Sequence, residues 1–243
     1  MQITFLVKKK KLNKNLDELI GVDETGVGDY FSPVISVAWY IPKDNIEKLK
    51  QIGVKDSKKL SDKRIIEIFN QIENLVYYQK TYLSQSGYNK LIDAGINNNE
   101  IKTLIHSNSI NILTKKLNQN IDVFIDQYTT SLEMLQKHFK KLQAISWLDF
   151  KKPQNEIIIE TKGEEKSLAV AAASIISRKF LIDWMQQQNK KYNFEFKLGA
   201  SNKIIDLAAN FILKYGQKTL REVAKVSFKT TIKALEKIDN KLE

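Results

Sequence analysis

Residues Gly21–Phe31 read G-V-D-E-T-G-V-G-D-Y-F, and this segment constrains the chain more than any other. An apolar approach, Leu19 to Val22, runs straight into two adjacent carboxylates, Asp23 and Glu24. Gly26, Gly28 and a third acid, Asp29, follow at once. Carboxylates in an apolar setting are costly unless positive charge lies between them. Glycines beside them let a second backbone come close. Together these features predict a hard-metal site facing a phosphate-bearing polymer. Successive strand residues point to opposite faces, so Asp23 and Glu24 can meet one ion only where a strand ends. The glycines predict that end. A surface turn with two solvated acids is the commoner fate of an Asp-Glu pair, and the apolar approach argues against it.

Charge enters next. The chain of 243 residues has a formal net charge of +11, which fits either a solvated lysine-rich surface or a nucleic-acid partner. A basic chain that keeps a few acids in apolar settings favours the second reading. Hydrophobic residues make up 42%, enough for a sizeable core. There is no cysteine, which excludes disulfides and thiolate zinc sites. The N-terminus places apolar residues before the lysines at 8–11, the reverse of a secretory signal. The longest small-apolar run, Leu168–Ile176 with Ser174 inside it, is too short to cross a bilayer. A soluble, cytoplasmic protein is the expectation.

The periodicity predicts strands at 20–23, 33–41, 76–83, 121–127 and 156–160. It predicts helices at 61–75, 131–142, 166–188, 203–215 and 217–237, and two more within 88–117, broken near 95–99. Strands early, then strands alternating with helices, predict an α/β fold: a mixed β-sheet flanked by helices, with a C-terminal helical extension.

Other candidate residues are less specific. Asp126 closes the apolar strand V-F-I-D, where α/β sheets place ligands; a turn or helix cap is equally consistent. Glu164 follows T-K-G, so a capping box with Thr161 competes with an acid aimed at a sheet-edge site. Ser57 and Lys58 in V-K-D-S-K-K-L, and Lys197 and Ser201 in K-L-G-A-S, have the character of phosphate-binding loops or of ordinary helix caps. His106 and His138 lie in polar stretches with no acid at a telling spacing and are expected at the surface. A Ser-His-Asp site is excluded on that reading.

Taken together, the motifs D-E-T-G-V-G-D-Y-F-S-P, V-K-D-S-K-K-L-S, I-D-Q-Y, T-K-G-E-E-K-S-L-A-V-A-A-A-S-I-I-S-R, K-L-G-A-S and A-K-V-S-F-K resemble, in order, the blocks of type 2 ribonucleases H. The G-D-Y-F portion is similar to the ribonuclease HIII branch. The resemblance runs from about Glu18 to about Ala234. It implies a ribonuclease H-like fold and endonucleolytic cleavage of RNA paired with DNA. It also implies dependence on Mg²⁺ or Mn²⁺, with Asp23, Glu24, Asp126 and Glu164 as the catalytic and metal-holding acids. Four carboxylates can hold two divalent ions about 3.5–4 Å apart, giving 5′-phosphate and 3′-hydroxyl products. Backbone groups of Gly26, Val27 and Gly28 would face the RNA 2′-hydroxyls. Ser57, Lys58, Lys197 and Ser201 would touch phosphates.

On this resemblance the chain has a short basic segment over 1–17 and a catalytic domain over 18–243, with a helical cap from about 199. The N-terminal domain resembling TATA-binding protein, usual in the branch, is expected to be missing, and Val27 stands where polar or basic residues are common. No tyrosine lies near Lys197–Ser201, which favours RNA stretches over single embedded ribonucleotides. The implied partner is an RNA–DNA hybrid, with no membrane, no small-molecule organic cofactor and a monomeric state. A non-catalytic hybrid-binding protein is the alternative from another class.

Overall fold

Ile20 and Val22 are wholly excluded from water, and the strand that carries them lies inside a six-stranded sheet. The computed structural model describes residues 3–5, 15–54 and 60–240. Its strands are β1 (Ile3–Phe5), β2 (Ile20–Thr25), β3 (Val34–Tyr40), β4 (Tyr77–Leu83), β5 (Val123–Asp126) and β6 (Ile157–Glu160), in the order β1-β6-β5-β2-β3-β4. The pairs β1–β6, β6–β5 and β5–β2 are parallel, and β2–β3 is antiparallel, so the sheet is mixed. β5 and β6 are short apolar runs, as strands buried on both faces are.

The chain divides into two compact units. The first comprises Met1–Thr25, Ile35–Thr81 and Asn98–Lys179. It contains the body of the sheet with α1 (Ile46–Ile52), α2 (Asp62–Ile72), α4 (Asn98–Leu117), α5 (Leu132–Gln143), α6 (Gly163–Lys166) and the first half of α7 (Leu168–Tyr192). α7 lies so close to β2 that a Cβ on Gly21 would stand 2.3 Å from the Ala169 carbonyl carbon. Beside that contact Val170 packs with Leu19, Phe124 and Ile158.

The second unit comprises Gly26–Val34, Tyr82–Asn97 and Phe180–Glu243. It holds α3 (Gln85–Asp93), the rest of α7, α8 (Asn202–Val223) and α9 (Lys229–Asp239). Phe211 is fully buried among Tyr192, Phe194, Phe196 and Tyr215. Gln85 and Gln188 both donate to the Phe31 carbonyl at 2.8 Å.

Several expectations need correction. The predicted continuous helix over 217–237 is broken: α8 stops at Val223 and α9 starts at Lys229. Asn89 accounts for the break. Its amide donates to the Arg221 and Ala224 carbonyls, and its oxygen accepts from Val226 N–H, so one side chain serves backbone groups that a helix would have paired. The boundary at Gly216 stands, with φ 82° and ψ 157°, a conformation suited to glycine. The sequence reading also missed β1, only three residues long, and α1, which buries Ile46 and Leu49. The lysines at 8–11 lie outside the described residues. Among the described residues no helix is long and apolar enough to cross a membrane.

Candidate active site

β2 delivers Asp23 and Glu24 at its C-terminal end, to opposite sides of the sheet. Asp23 pairs across the ladder with Val37 and Glu24 with Ser36. Asp23 turns toward α7, where the Ser174 hydroxyl donates to its carboxylate. Glu24 turns toward α4: Lys102 Nζ lies 2.5 Å from Oε1, and His106 Nε2 lies 3.0 Å from Oε2. The other ring nitrogen of His106, Nδ1, is 2.9 Å from the Ser36 hydroxyl. Ser36, His106 and Glu24 therefore form a chain that fixes the carboxylate's orientation.

Asp126 arrives from β5. The parallel register matches Val22 with Ile125, so Asp126 is one step beyond, at the level of Asp23. Its Oδ1 accepts from the Gly163 amide at 2.8 Å. Gly163 opens α6 and packs hard on Asp126: a Cβ there would meet the Asp126 Cα at 3.2 Å. The next residue is Glu164, whose side chain lies outside the described residues. Thr161 does not stand at the capping position of α6. The residue before the helix is Lys162, left-handed at φ 60°, and its own side chain makes no capping bond.

Asp23, Glu24 and Asp126 line one cavity of about 540 Å³ with Thr25, Leu60, Lys102, Ser174 and Arg178. Burial, reinforced by the Glu24 charge and then by Asp126, pushes the Asp23 carboxyl well above the usual range. Glu24 behaves oppositely. Burial alone would raise it, but His106 and then Lys102 outweigh that and hold it down at about 2. The donors are all oxygen, which suits Mg²⁺ or Mn²⁺, and acids repelling one another in a half-enclosed space favour a cation among them. The residues fit such an ion. Among the described residues, no three His, Asp or Glu side chains converge into a ready-made metal group. The cavity brings the acids together while each remains held by a protein donor.

The surface expectation for the histidines was wrong. His106 is 1% and His138 is 3% exposed. The polar look of α4 misled the reading, because its polar groups are buried with partners. Thr103 donates to the Asn99 carbonyl at 2.8 Å and lies 3.2 Å from His138 Nδ1. Ser109 donates to Thr81 Oγ1 at 2.8 Å. Lys102 and His106 had a signal: spaced by four, they share one helix face. Ser174 and Arg178 have the same spacing on α7. Arg178 reaches Asp62 Oδ1 at 3.1 Å.

Ser57 and Lys58 lie outside the described residues. In the second unit, the glycine loop and the Lys197–Ser201 loop are bonded to each other. Gly199 N–H donates to Asp29 Oδ1 at 2.6 Å, and Tyr30 N–H donates to the Gly199 carbonyl at 2.9 Å. Lys197 is exposed and 3.7 Å from Glu195. Ser201 precedes α8 without a side-chain capping bond.

A family model for ribonuclease HII matches residues 20–231. The ribonuclease HIII of Bacillus mycoides is 36% identical over 218 residues, covering 89% of this chain and 67% of the relative. That of Staphylococcus epidermidis is 36% identical over 224 residues, covering 91% and 70%. The crystal structure of Bst-RNase HIII in complex with Mn²⁺ superimposes with a TM-score of 0.84 at 29% identity, over 93% of this chain and 72% of that one. The ribonuclease H-like sheet with its flanking helices is therefore shared. With a family match that spans nearly all of the sheet and helices described above, the chain belongs to the ribonuclease HII family, in its ribonuclease HIII branch.

Proposed function

We propose that the chain cleaves the RNA strand of RNA–DNA hybrids by metal-dependent hydrolysis, leaving 5′-phosphate and 3′-hydroxyl ends. One observation carries the proposal: the carboxylates of two adjacent parallel strands, Asp23, Glu24 and Asp126, line a single cavity with an oxygen-only donor set. The metal-dependent ribonuclease H activity is that of the family, and the relative crystallised with Mn²⁺ supports the choice of ion.

In this reading Asp23, Glu24 and Asp126 hold the ions, joined by Glu164, whose neighbour Gly163 packs on Asp126. Bound divalent ions supply Lewis acidity, which acidifies a water and stabilises the leaving 3′ oxygen. The protein does the rest. His106 and Lys102 keep Glu24 ionised, so its oxygens remain acceptors at any working pH. Ser174 orients Asp23, and the Gly163 amide orients Asp126. Gly26, Val27 and Gly28 read the ribose 2′-hydroxyl, which distinguishes RNA from DNA. Ser57, Lys58, Lys197 and Ser201 contact phosphates. Residues 18–243 act as one catalytic domain, monomeric, cytoplasmic and without an organic cofactor.

The test is D23N and D126N, each assayed on a long hybrid and on a DNA duplex bearing one ribonucleotide, with Mg²⁺ and with Mn²⁺. Both variants should keep the wild-type melting profile and lose cleavage of the hybrid. Wild-type turnover by either would overturn the assignment. A wild-type preference for the single-ribonucleotide duplex would replace the substrate while leaving the chemistry in place.

A further inference from the structure

Lys225 is a lysine with no exposed surface, far in sequence from every acid above. A buried amino group is costly unless its N–H bonds are satisfied. Here they all point at one short segment. Nζ donates to the carbonyl of Gly26, to the carbonyl of Asp29 at 2.5 Å and to Ser32 Oγ at 3.4 Å. Its backbone N–H donates to the Tyr30 carbonyl at 2.9 Å. The rings of Tyr88 and Phe228 each lie 5.6 Å away and close the pocket around it. Burial pushes the amino group down to about 7, with Asp29 acting the other way. As ammonium or as amine, it still has enough N–H bonds for both carbonyls.

The segment so held is the glycine loop. Its carbonyls turn inward: that of Gly26 also accepts from Ser32 Oγ at 3.0 Å and from Asp29 N–H at 3.3 Å. A loop whose carbonyls converge on a buried donor presents its amides on the other side. Among the described residues, the N–H groups of Val27 and Gly28 have no partner, and Gly28 is exposed, with nothing within 4 Å of where a Cβ would lie.

We infer that Lys225 is a positioning residue for substrate selection: by gathering the Gly26 and Asp29 carbonyls it aims the Val27 and Gly28 amides at the ribose of the bound strand. The inference rests on the reading that this loop senses the 2′-hydroxyl. Backbone amides are fixed donors, so their discrimination depends on the loop's shape being held. Lys225 sets that shape without touching substrate.

The experiment uses the full chain with Lys225→Met and Lys225→Gln. Equilibrium binding to a hybrid and to a DNA duplex of the same sequence is measured in EDTA, and kcat and KM are measured on the hybrid with Mn²⁺. K225M should lower the hybrid-to-duplex binding ratio roughly tenfold, the size of one lost buried hydrogen bond. KM should rise with kcat nearly unchanged. K225Q, which keeps a shorter donor, should fall between. A residue needed only for folding would lower kcat through a smaller active fraction and leave both KM and the ratio alone; that pattern, or failure of both variants to fold, overturns the inference. A wild-type chain indifferent to the 2′-hydroxyl would instead defeat the reading of the loop, and the role of Lys225 with it. A wild-type preference preserved in folded K225M defeats the role of Lys225 alone.

Discussion

Substituting Gly21 by alanine tests the packing that aligns the acids. A Cβ at this position would lie 2.3 Å from the Ala169 carbonyl carbon, 2.5 Å from its oxygen and 2.6 Å from Val170 N. Carbon atoms pack at about 3.5 Å, so α7 and β2 must separate by about 1 Å. The opposing atoms are helix backbone and cannot rotate away. Overpacking a core costs about 1–3 kcal/mol, and the upper end is expected for a backbone clash. The same shift moves Ser174 and Arg178, which reach the cavity from α7. A misplacement of about 1 Å can cost about a hundredfold in rate. Urea unfolding and hybrid cleavage, measured on G21A beside wild type, read both consequences. G28A is the stability control, since its Cβ would enter open space. A G21A protein with wild-type unfolding midpoint and wild-type kcat would refute the close-packing argument.

Two further outcomes are expected. H106A removes the bridge between Ser36 and Glu24; Mn²⁺ affinity, measured by titration in the absence of substrate, should fall about 10–100-fold, as is typical when a ligand loses its supporting partner. Lys225 also predicts a pH slope in stability. Folded, it releases its proton near 7; unfolded, it keeps it to about 10.5, so the unfolded state binds more protons between those values and stability rises with pH across them. Asp29, Tyr30 and Tyr88 are the titratable groups facing it, and only Asp29 opposes the shift. Denaturation of wild type and K225M from pH 7 to 9.5 should show a slope in the first that is shallower in the second; parallel curves would contradict a proton-releasing Lys225.

Much of the architecture is written in local pattern. The strand-favouring residues over 34–40 and the apolar runs ending in Asp126 and Glu160 are strand signals that need no tertiary context, and Gly95 and Gly216 mark real breaks through their positive φ. Asp23, Glu24 and Asp126 were legible as acids near strand ends because apolar residues precede each of them, and for the first two because glycines follow. The surroundings were not legible. α4 reads as polar, yet its Thr103, His106 and Ser109 are buried, each answered by a group distant in sequence. The break between α8 and α9 depends on Asn89, more than 130 residues upstream.

The order of residues alone thus placed Asp23 and Glu24 where an apolar strand gives way to glycines, because strand ends, glycines and apolar approaches are short-range features; Asp126 and Glu164 joined them only through the family resemblance. Tertiary structure decided which groups meet each acid: His106 and Lys102 for Glu24, Ser174 for Asp23, the Gly163 amide for Asp126. It also turned Lys225 from one basic residue among 39 into the buried donor beneath the glycine loop. Electrostatics and burial depend on distance in space, and a side chain two hundred residues away contributes as much as a neighbour once folding has brought it within a few ångströms.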